Sequence, residues 1–350
     1  MLALLCILST ASATSDVLFV GNSYTFYNNL ETLVAEVFAS AGTTVETGRL
    51  TAGGLNLSNH ASYAADESSE WYTRLVTEAD QREWVVLQDQ SQTPAFPQTQ
   101  PEWIASRDAA ITLNGLVADA GANTMFFLTW GYLDGDEIND WRFPDYTTMQ
   151  GHLTAGYTAY AEACSTVERP VWIAPVGPAF GYIREQVVAS GEDPLSEDSL
   201  FRALYAGDGS HPSALGSHLV AFVFFASLSG ETPVGLATPD GFDPETVLQL
   251  QEAAAAVVFD DTDSFVFPWE EDPGTVGEPD TGEDEAPACG EEPPVDEEGS
   301  DTPGGSGPSV AEEPSEDADE DKGGCSHIGK TGGLAFLCVL LPLVLMRRND

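Results

Sequence analysis

From Asp16 to about Phe267 the chain alternates short apolar runs with amphipathic stretches, and this alternation restricts its fold more than any other feature. A run such as Val17-Leu18-Phe19-Val20 has no polar face, so as a strand it must be covered on both sides. Strands of that kind separated by helical segments specify a parallel sheet between two helical layers. Strands are expected around Asp16–Val20, Thr44–Leu50, Trp84–Leu87, Thr124–Thr129 and Pro170–Val176. Between them, Leu30, Leu33, Val34, Val37 and Phe38 recur at helical spacing and stop at Gly42. Further helices are expected over Ser69–Thr77, Pro101–Ala120, Met149–Cys164 and Leu215–Leu228, the last so uniformly apolar that it must lie deep against the sheet. The expected fold is α/β, a three-layer α/β/α flavodoxin-like sandwich with a five-stranded parallel sheet. In such a sheet ligands bind outside the carboxyl ends of the strands.

Ser23 follows the first strand directly, in Gly21-Asn22-Ser23-Tyr24-Thr25, at such an end. Far downstream stands Asp208-Gly209-Ser210-His211-Pro212. A serine hydroxyl needs a base to take its proton, and an imidazole base needs an acid to fix its tautomer. Residues three apart on a turn share a face, so Asp208 can reach His211. Each segment alone has a plainer use: Ser23 as a helix cap, His211 as a helix-start residue, Asp208 as turn chemistry. Their placement at opposite ends of one α/β region favours a serine hydrolase.

These residues give the chain a resemblance to the SGNH (GDSL-like) hydrolases, in the bacterial branch with Gly-Asn-Ser-Tyr-Thr in place of Gly-Asp-Ser-Leu. Four blocks match in order: Gly21–Thr25, Thr51-Ala52-Gly53-Gly54, Val85–Gln92 and Asp208–Ser213. The resemblance implies Ser23 as nucleophile, His211 as general base and Asp208 as its orienting acid. It also implies an oxyanion hole from the Ser23 N–H, a glycine N–H and a third-block side chain. Gly54 is the first choice for the glycine, with Gly53 the alternative. The family's asparagine is missing from the third block, which offers Gln88, Gln90 and Gln92. A glutamine amide can donate the same hydrogen bond, and Gln90 is favoured.

The other chemistry-bearing residues have plainer readings. His60 and His218 are read as packing residues, and Cys164 as a small buried hydrophobe. Trp130, Trp141, Phe143 and Tyr146, in the long loop after the fourth strand, suit a sugar-stacking wall and a self-packed lid equally well. No His-Glu-x-x-His, P-loop, Cys-x-x-Cys or Gly-x-Ser-x-Gly motif occurs, so no metal or other cofactor is called for.

With 57 acidic against 12 basic residues and a formal net charge of −45, the chain is unsuited to nucleic acid. Roughly twenty of the acids follow Trp269, in a Glu/Asp/Pro/Gly/Ser-rich stretch that has too little apolar surface to fold. The expected organisation is a signal peptide over 1–13, ending in Ala11-Ser12-Ala13, a hydrolase domain over 14–268 and an acidic tether over 269–324. Residues 325–350 then carry Gly324-Cys325, the apolar run Leu334–Met346 and Arg347-Arg348. This last stretch resembles the MYXO-CTERM class of sorting signals; an uncleaved membrane anchor is the alternative. Either places the domain outside the cytoplasm, on the cell surface. The expected activity is hydrolysis of a small acyl ester, with O-acetylated carbohydrate among the candidate substrates. The alternative is a catalytically silent glycan-binding surface protein.

Overall fold

The structure is a computed structural model that describes residues 15–78, 82–261 and 264–270. The chain divides into two units, Met1–Thr281 and Gly282–Asp350, the second of which lies outside the described residues. The expected signal peptide, the sorting signal or anchor, and the tether beyond residue 270 also lie outside them. Among the described residues, no helix is long and apolar enough to cross a membrane.

Five parallel strands form the sheet: β1 (Ser15–Gly21), β2 (Val45–Thr51), β3 (Trp84–Leu87), β4 (Asn123–Phe127) and β5 (Trp172–Ala174). Their order is β2-β1-β3-β4-β5, with Val17 opposite Trp84 and Val20 opposite Leu87 across the central pair. Chain direction across the sheet therefore reverses at β1, which places the switch point, where ligands bind in open α/β sheets, beyond the carboxyl ends of β1 and β3. All four β3 residues are buried, as two-sided cover requires. The strands are shorter than expected at the far edge. β4 stops at Phe127, not Thr129, and β5 covers Trp172–Ala174, not Pro170–Val176, because Pro175 has no N–H to donate and Val176 already begins a helix.

On one face lie α2 (Leu30–Ser40), α7 (Val176–Ala189), α9 (Ala214–Ser229) and α10 (Pro244–Ala255); on the other lie α3 (Leu57–Ala64), α5 (Pro101–Asp119) and α6 (Tyr146–Cys164). α9 is the buried helix expected. Phe222, Phe224 and Phe225 are almost wholly enclosed, and Phe224 meets Phe19 of β1 edge-on at 5.1 Å. Two helices differ in extent from expectation. α6 starts three residues early because the Asp145 carboxylate caps it by accepting from the Thr148 N–H. The segment around Ser69–Thr77 is a short turn, α4 (Glu70–Tyr72), running into a π-helical turn over Thr73–Thr77.

α3, α7 and α10 were not expected. α7 carries Gly177, Pro178 and Gly181, residues that signal a loop, yet Pro178 sits in its first turn, where a missing N–H costs nothing. α3 has the composition Leu-Ser-Asn-His-Ala-Ser-Tyr-Ala, with too little apolar periodicity to announce itself; a capping box between Asn56 and Asn59 starts it.

Candidate active site

β1 delivers Gly21 and Asn22 to a sharp turn, and α1 (Ser23–Phe26) begins at once. The Asn22 side chain caps that helix by accepting from the Tyr24 N–H, while its amide donates to the Leu55 carbonyl at 2.8 Å. A Cβ on Gly21 would collide with Gln88 Oε1 and Thr25 Oγ1, so the approach of β3 to this turn requires glycine. Gln88 is fully buried. Its Oε1 accepts from the Asn22 N–H at 2.8 Å and the Thr25 hydroxyl at 2.9 Å, and its amide donates to the Asp89 carbonyl.

Asp208 and His211 stand in the loop between the short helix α8 (Leu200–Ala203) and α9. Oδ1 of Asp208 accepts from the N–H groups of Ser210 (3.0 Å) and His211 (2.9 Å), and Oδ2 lies 2.6 Å from His211 Nδ1. Burial pushes the Asp208 carboxyl up, but these hydrogen bonds outweigh it and bring the pKa down to about 2. An ionised carboxylate only accepts, so Nδ1 carries a proton, and in the neutral ring that tautomer makes Nε2 the acceptor. Nε2 lies 2.7 Å from Ser23 Oγ. The structure thus brings Ser23, His211 and Asp208 into one chain of hydrogen bonds across 188 positions of sequence.

The loop after β4 supports this arrangement from behind. Trp130 Nε1 donates to the Ser210 carbonyl at 3.0 Å, and the Leu133 N–H donates to the Gly209 carbonyl at 2.8 Å. Trp130 lies between Phe180, stacked at 4.5 Å, and Tyr24, stacked at 4.7 Å. The loop aromatics therefore make no sugar-stacking wall: Trp130, Phe143 and Tyr146 are buried in the core, and only Trp141, 73% exposed, faces solvent.

Of the three glutamines, two have committed amide groups: that of Gln88 as above, and that of Gln92, which donates to Asp136 Oδ2. Gln90 is oriented differently. Its Oε1 accepts from the Gln92 and Thr93 N–H groups at 2.8 and 3.1 Å, which fixes the side chain by its carbonyl, while Nε2 makes only long contacts of 3.3 Å to Ser91 Oγ and 3.4 Å to Gln92 Oε1. Among the described residues, the N–H groups of Ser23, Gly53 and Gly54 donate to no protein acceptor. Gly54 has φ +71, a conformation that disfavours any side chain, and the space where its Cβ would stand is open.

Asp89 is a site residue that the sequence did not single out. Its fully buried carboxylate accepts from the N–H groups of Leu57 (3.0 Å) and Gln90 (2.8 Å), the Ser106 hydroxyl (2.6 Å) and the Tyr160 hydroxyl (3.1 Å). One side chain thereby ties the glycine loop to the glutamine loop and both to α5 and α6. Burial raises the Asp89 carboxyl against the pull of these four donors. A lone acid at the end of an apolar strand was the available signal, since burial there demands partners.

His60 is wholly buried on α3 and accepts from Trp71 Nε1 at 2.8 Å through Nδ1; burial lowers its pKa to about 4 and keeps it neutral. His218 packs edge-on against Phe242 at 4.8 Å, and burial lowers its pKa too. Cys164 is buried, with its thiol pushed up to about 11. No cluster of His, Cys, Asp and Glu among the described residues is arranged to hold a metal ion.

A parallel sheet with helices on both faces defines an α/β/α sandwich, and polar groups converge beyond its carboxyl edge at the switch point. No family model matches the chain, and no curated protein matches it in sequence. Solved structures superpose on it. A DUF4886 family protein from Bacteroides uniformis superposes with a TM-score of 0.57 at 17% identity, over 71% of this chain and 96% of that one, a likeness of fold. Others include a protein from Slackia heliotrinireducens described provisionally as an SGNH hydrolase (TM-score 0.46, 24% identity, 61% of this chain and 97% of that one). An acetyl-xylooligosaccharide esterase from Geobacillus matches with a TM-score of 0.39 at 15% identity, over 60% of this chain and 92% of that one.

Proposed function

We propose that this protein is a serine ester hydrolase that works through an acyl-enzyme. The observation that carries the reading is the run of short contacts from Asp208 Oδ2 to His211 Nδ1 (2.6 Å) and from His211 Nε2 to Ser23 Oγ (2.7 Å), with a tautomer that leaves Nε2 able to accept a proton. In the first half-reaction Ser23 Oγ attacks the ester carbonyl carbon while its proton passes to His211 Nε2. The imidazolium formed is held by the Asp208 carboxylate. The carbonyl oxygen becomes an oxyanion facing the uncommitted N–H groups of Ser23 and Gly54, with the Gln90 amide as third donor. Collapse expels the alcohol, which takes the proton from Nε2 and leaves Ser23 acylated. A water molecule then repeats the sequence, its proton going to His211, and releases the acid and free Ser23.

The substrate class proposed is a small acyl ester, with O-acetylated carbohydrate the leading candidate. The net charge of −45 disfavours polyanionic esters. The leader-like start and the acidic, then apolar and basic, end of the chain support export and display at the cell surface.

The test is hydrolysis of p-nitrophenyl acetate, followed by a panel of acetylated sugars and short-chain esters, by the purified protein and by Ser23→Ala. Turnover by the unmodified protein and a loss on the order of 10⁴ or more in the variant are expected. Near-normal turnover by Ser23→Ala would defeat the reading.

A further inference from the structure

We propose that Tyr27 is a positioning residue for His211, a fixed aromatic platform on which the imidazole lies as it takes and returns the proton; this rests on the esterase reading above. The Tyr27 ring is stacked on His211 with centroids 4.3 Å apart and planes within 14°. Ser23 and Tyr27 are four residues apart, joined by the hydrogen bond from the Tyr27 N–H to the Ser23 carbonyl that closes α1. A single helical turn thus presents the hydroxyl to one edge of the imidazole and an aromatic ring to its face.

The packing of the core does not require this stack. Tyr27 is half-buried, and among the described residues its ring neighbours are Phe26 at 5.9 Å and His211. The next two residues of the chain hold Tyr27 in place. Asn28 and Asn29 both adopt φ +54, a left-handed conformation costly to residues other than glycine and tolerated best by asparagine. In that conformation the Asn28 amide donates to Ser217 Oγ at 2.8 Å and to the Pro212 carbonyl at 3.3 Å, next to His211 in the chain. The strained pair therefore fastens the nucleophile turn to the base loop at the point where the ring rests.

The other groups facing the imidazole are Asp208 and Ser210 from its own loop, Ser23, and the Tyr24 ring tilted at 46° and 5.4 Å. Of the rings against the imidazole, Tyr27 is the one that lies parallel to it in stacking contact and so restrains it from swinging off its plane. An aromatic face also favours a cation above it, so the stack tightens when the imidazolium forms and relaxes when the proton leaves.

The experiment compares full-length protein with Tyr27→Phe, Tyr27→Trp, Tyr27→Leu and Tyr27→Gln. It measures kcat and KM on p-nitrophenyl acetate, the rate of labelling by a fluorophosphonate, and Tm. The Leu and Gln variants are expected to lose roughly tenfold in kcat and labelling rate, with KM within about twofold. The Phe and Trp variants, which keep the aromatic face, are expected to stay within about threefold of the unmodified protein. Unchanged kcat in both Leu and Gln variants, in protein that turns over substrate normally without the substitution, overturns the platform alone; so does a Phe variant as impaired as Leu, which would assign the effect to the hydroxyl. Absence of turnover and labelling in the unmodified protein instead overturns the esterase reading on which the platform stands.

Discussion

The two halves of the site are built in opposite ways. Behind Ser23 the polar side chains are interior: Asn22, Gln88 and Asp89 are buried, and the hydrogen bonds of Asp89 reach α3, α5 and α6. Around His211 the groups are near solvent, with side chains 48% exposed for Asp208 and 24% for His211, and Asp208 is fixed by bonds within its own four-residue turn. The buried half is held by the fold, so disturbing it endangers the domain. In the exposed half the distant bonds, from Trp130 and Leu133, go to the backbone of the loop, so the Asp208 and His211 side chains can be altered with the domain intact. On the proposed esterase reading, Ser23 would be held rigid by the fold while His211 stays accessible to carry the proton.

The contrast is broken most strongly from the exposed half. His211→Ala is expected to reduce kcat on the order of 10⁴ while leaving Tm within about 2 °C, measured by steady-state kinetics and thermal melting. A large fall in Tm would show the loop to be part of the structural frame. From the buried half, Asp89→Asn keeps the shape but replaces acceptor capacity with an N–H₂ facing donors. It is expected to cost on the order of 4 kcal/mol in denaturant unfolding as well as activity. Stability equal to that of the unmodified protein would remove Asp89 from its proposed place as a tie between loops.

A pH series sharpens the comparison. His60 is depressed to about 4 in the folded chain from an ordinary value of 6.5, so between those values the unfolded chain binds more protons. Stability is therefore lost as pH falls from 6.5 towards 4, by on the order of 3 kcal/mol from this residue, with His218 acting in the same direction. His60→Gln, which can still accept from Trp71, should flatten that slope in urea titrations at several pH values; an unaltered slope would place its origin elsewhere. Asp208, held at about 2 in the folded chain, stays charged there throughout this range; its unfolded carboxyl, with an ordinary value of 3.8, begins to protonate only at the acid end, so it adds little to the slope. The smallest expected effect is on turnover in Gln90→Ala, a loss of roughly 10² if its amide supplies the third oxyanion donor. An unchanged rate would remove Gln90 from the oxyanion hole and leave backbone N–H groups as its donors, since the amides of Gln88 and Gln92 are committed elsewhere.

Much of this architecture was legible from periodicity. Two-sided apolar strands such as Val17–Val20 and Trp84–Leu87 allow little besides a covered parallel sheet, and the uniformly apolar α9 had one place to go. Helices whose starts depend on polar caps were harder. α3 begins through reciprocal side-chain bonds between Asn56 and Asn59, which carry no hydrophobic signal. The aromatic loop left two readings open because its burial is set by distant partners: Trp130, between elements in sequence, packs between Phe180 and Tyr24, and Tyr146, the first residue of α6, donates to the Gly177 carbonyl at 3.0 Å. At the site, Ser23, Asp208 and His211 were readable as residue types with a known chemical use. Asp89 and Tyr27 were not, because the role of each is defined by partners far away in sequence, up to 184 positions for the Tyr27–His211 stack.

The central claim is that Ser23 is an activated nucleophile, and covalent trapping tests it most directly. Intact-protein and peptide mass spectrometry after treatment with a fluorophosphonate should find one adduct, on the peptide containing Ser23, formed by the unmodified protein and lost in both Ser23→Ala and His211→Ala. A protein that stays unlabelled, or an adduct that persists when Ser23 or His211 is replaced, would contradict the account.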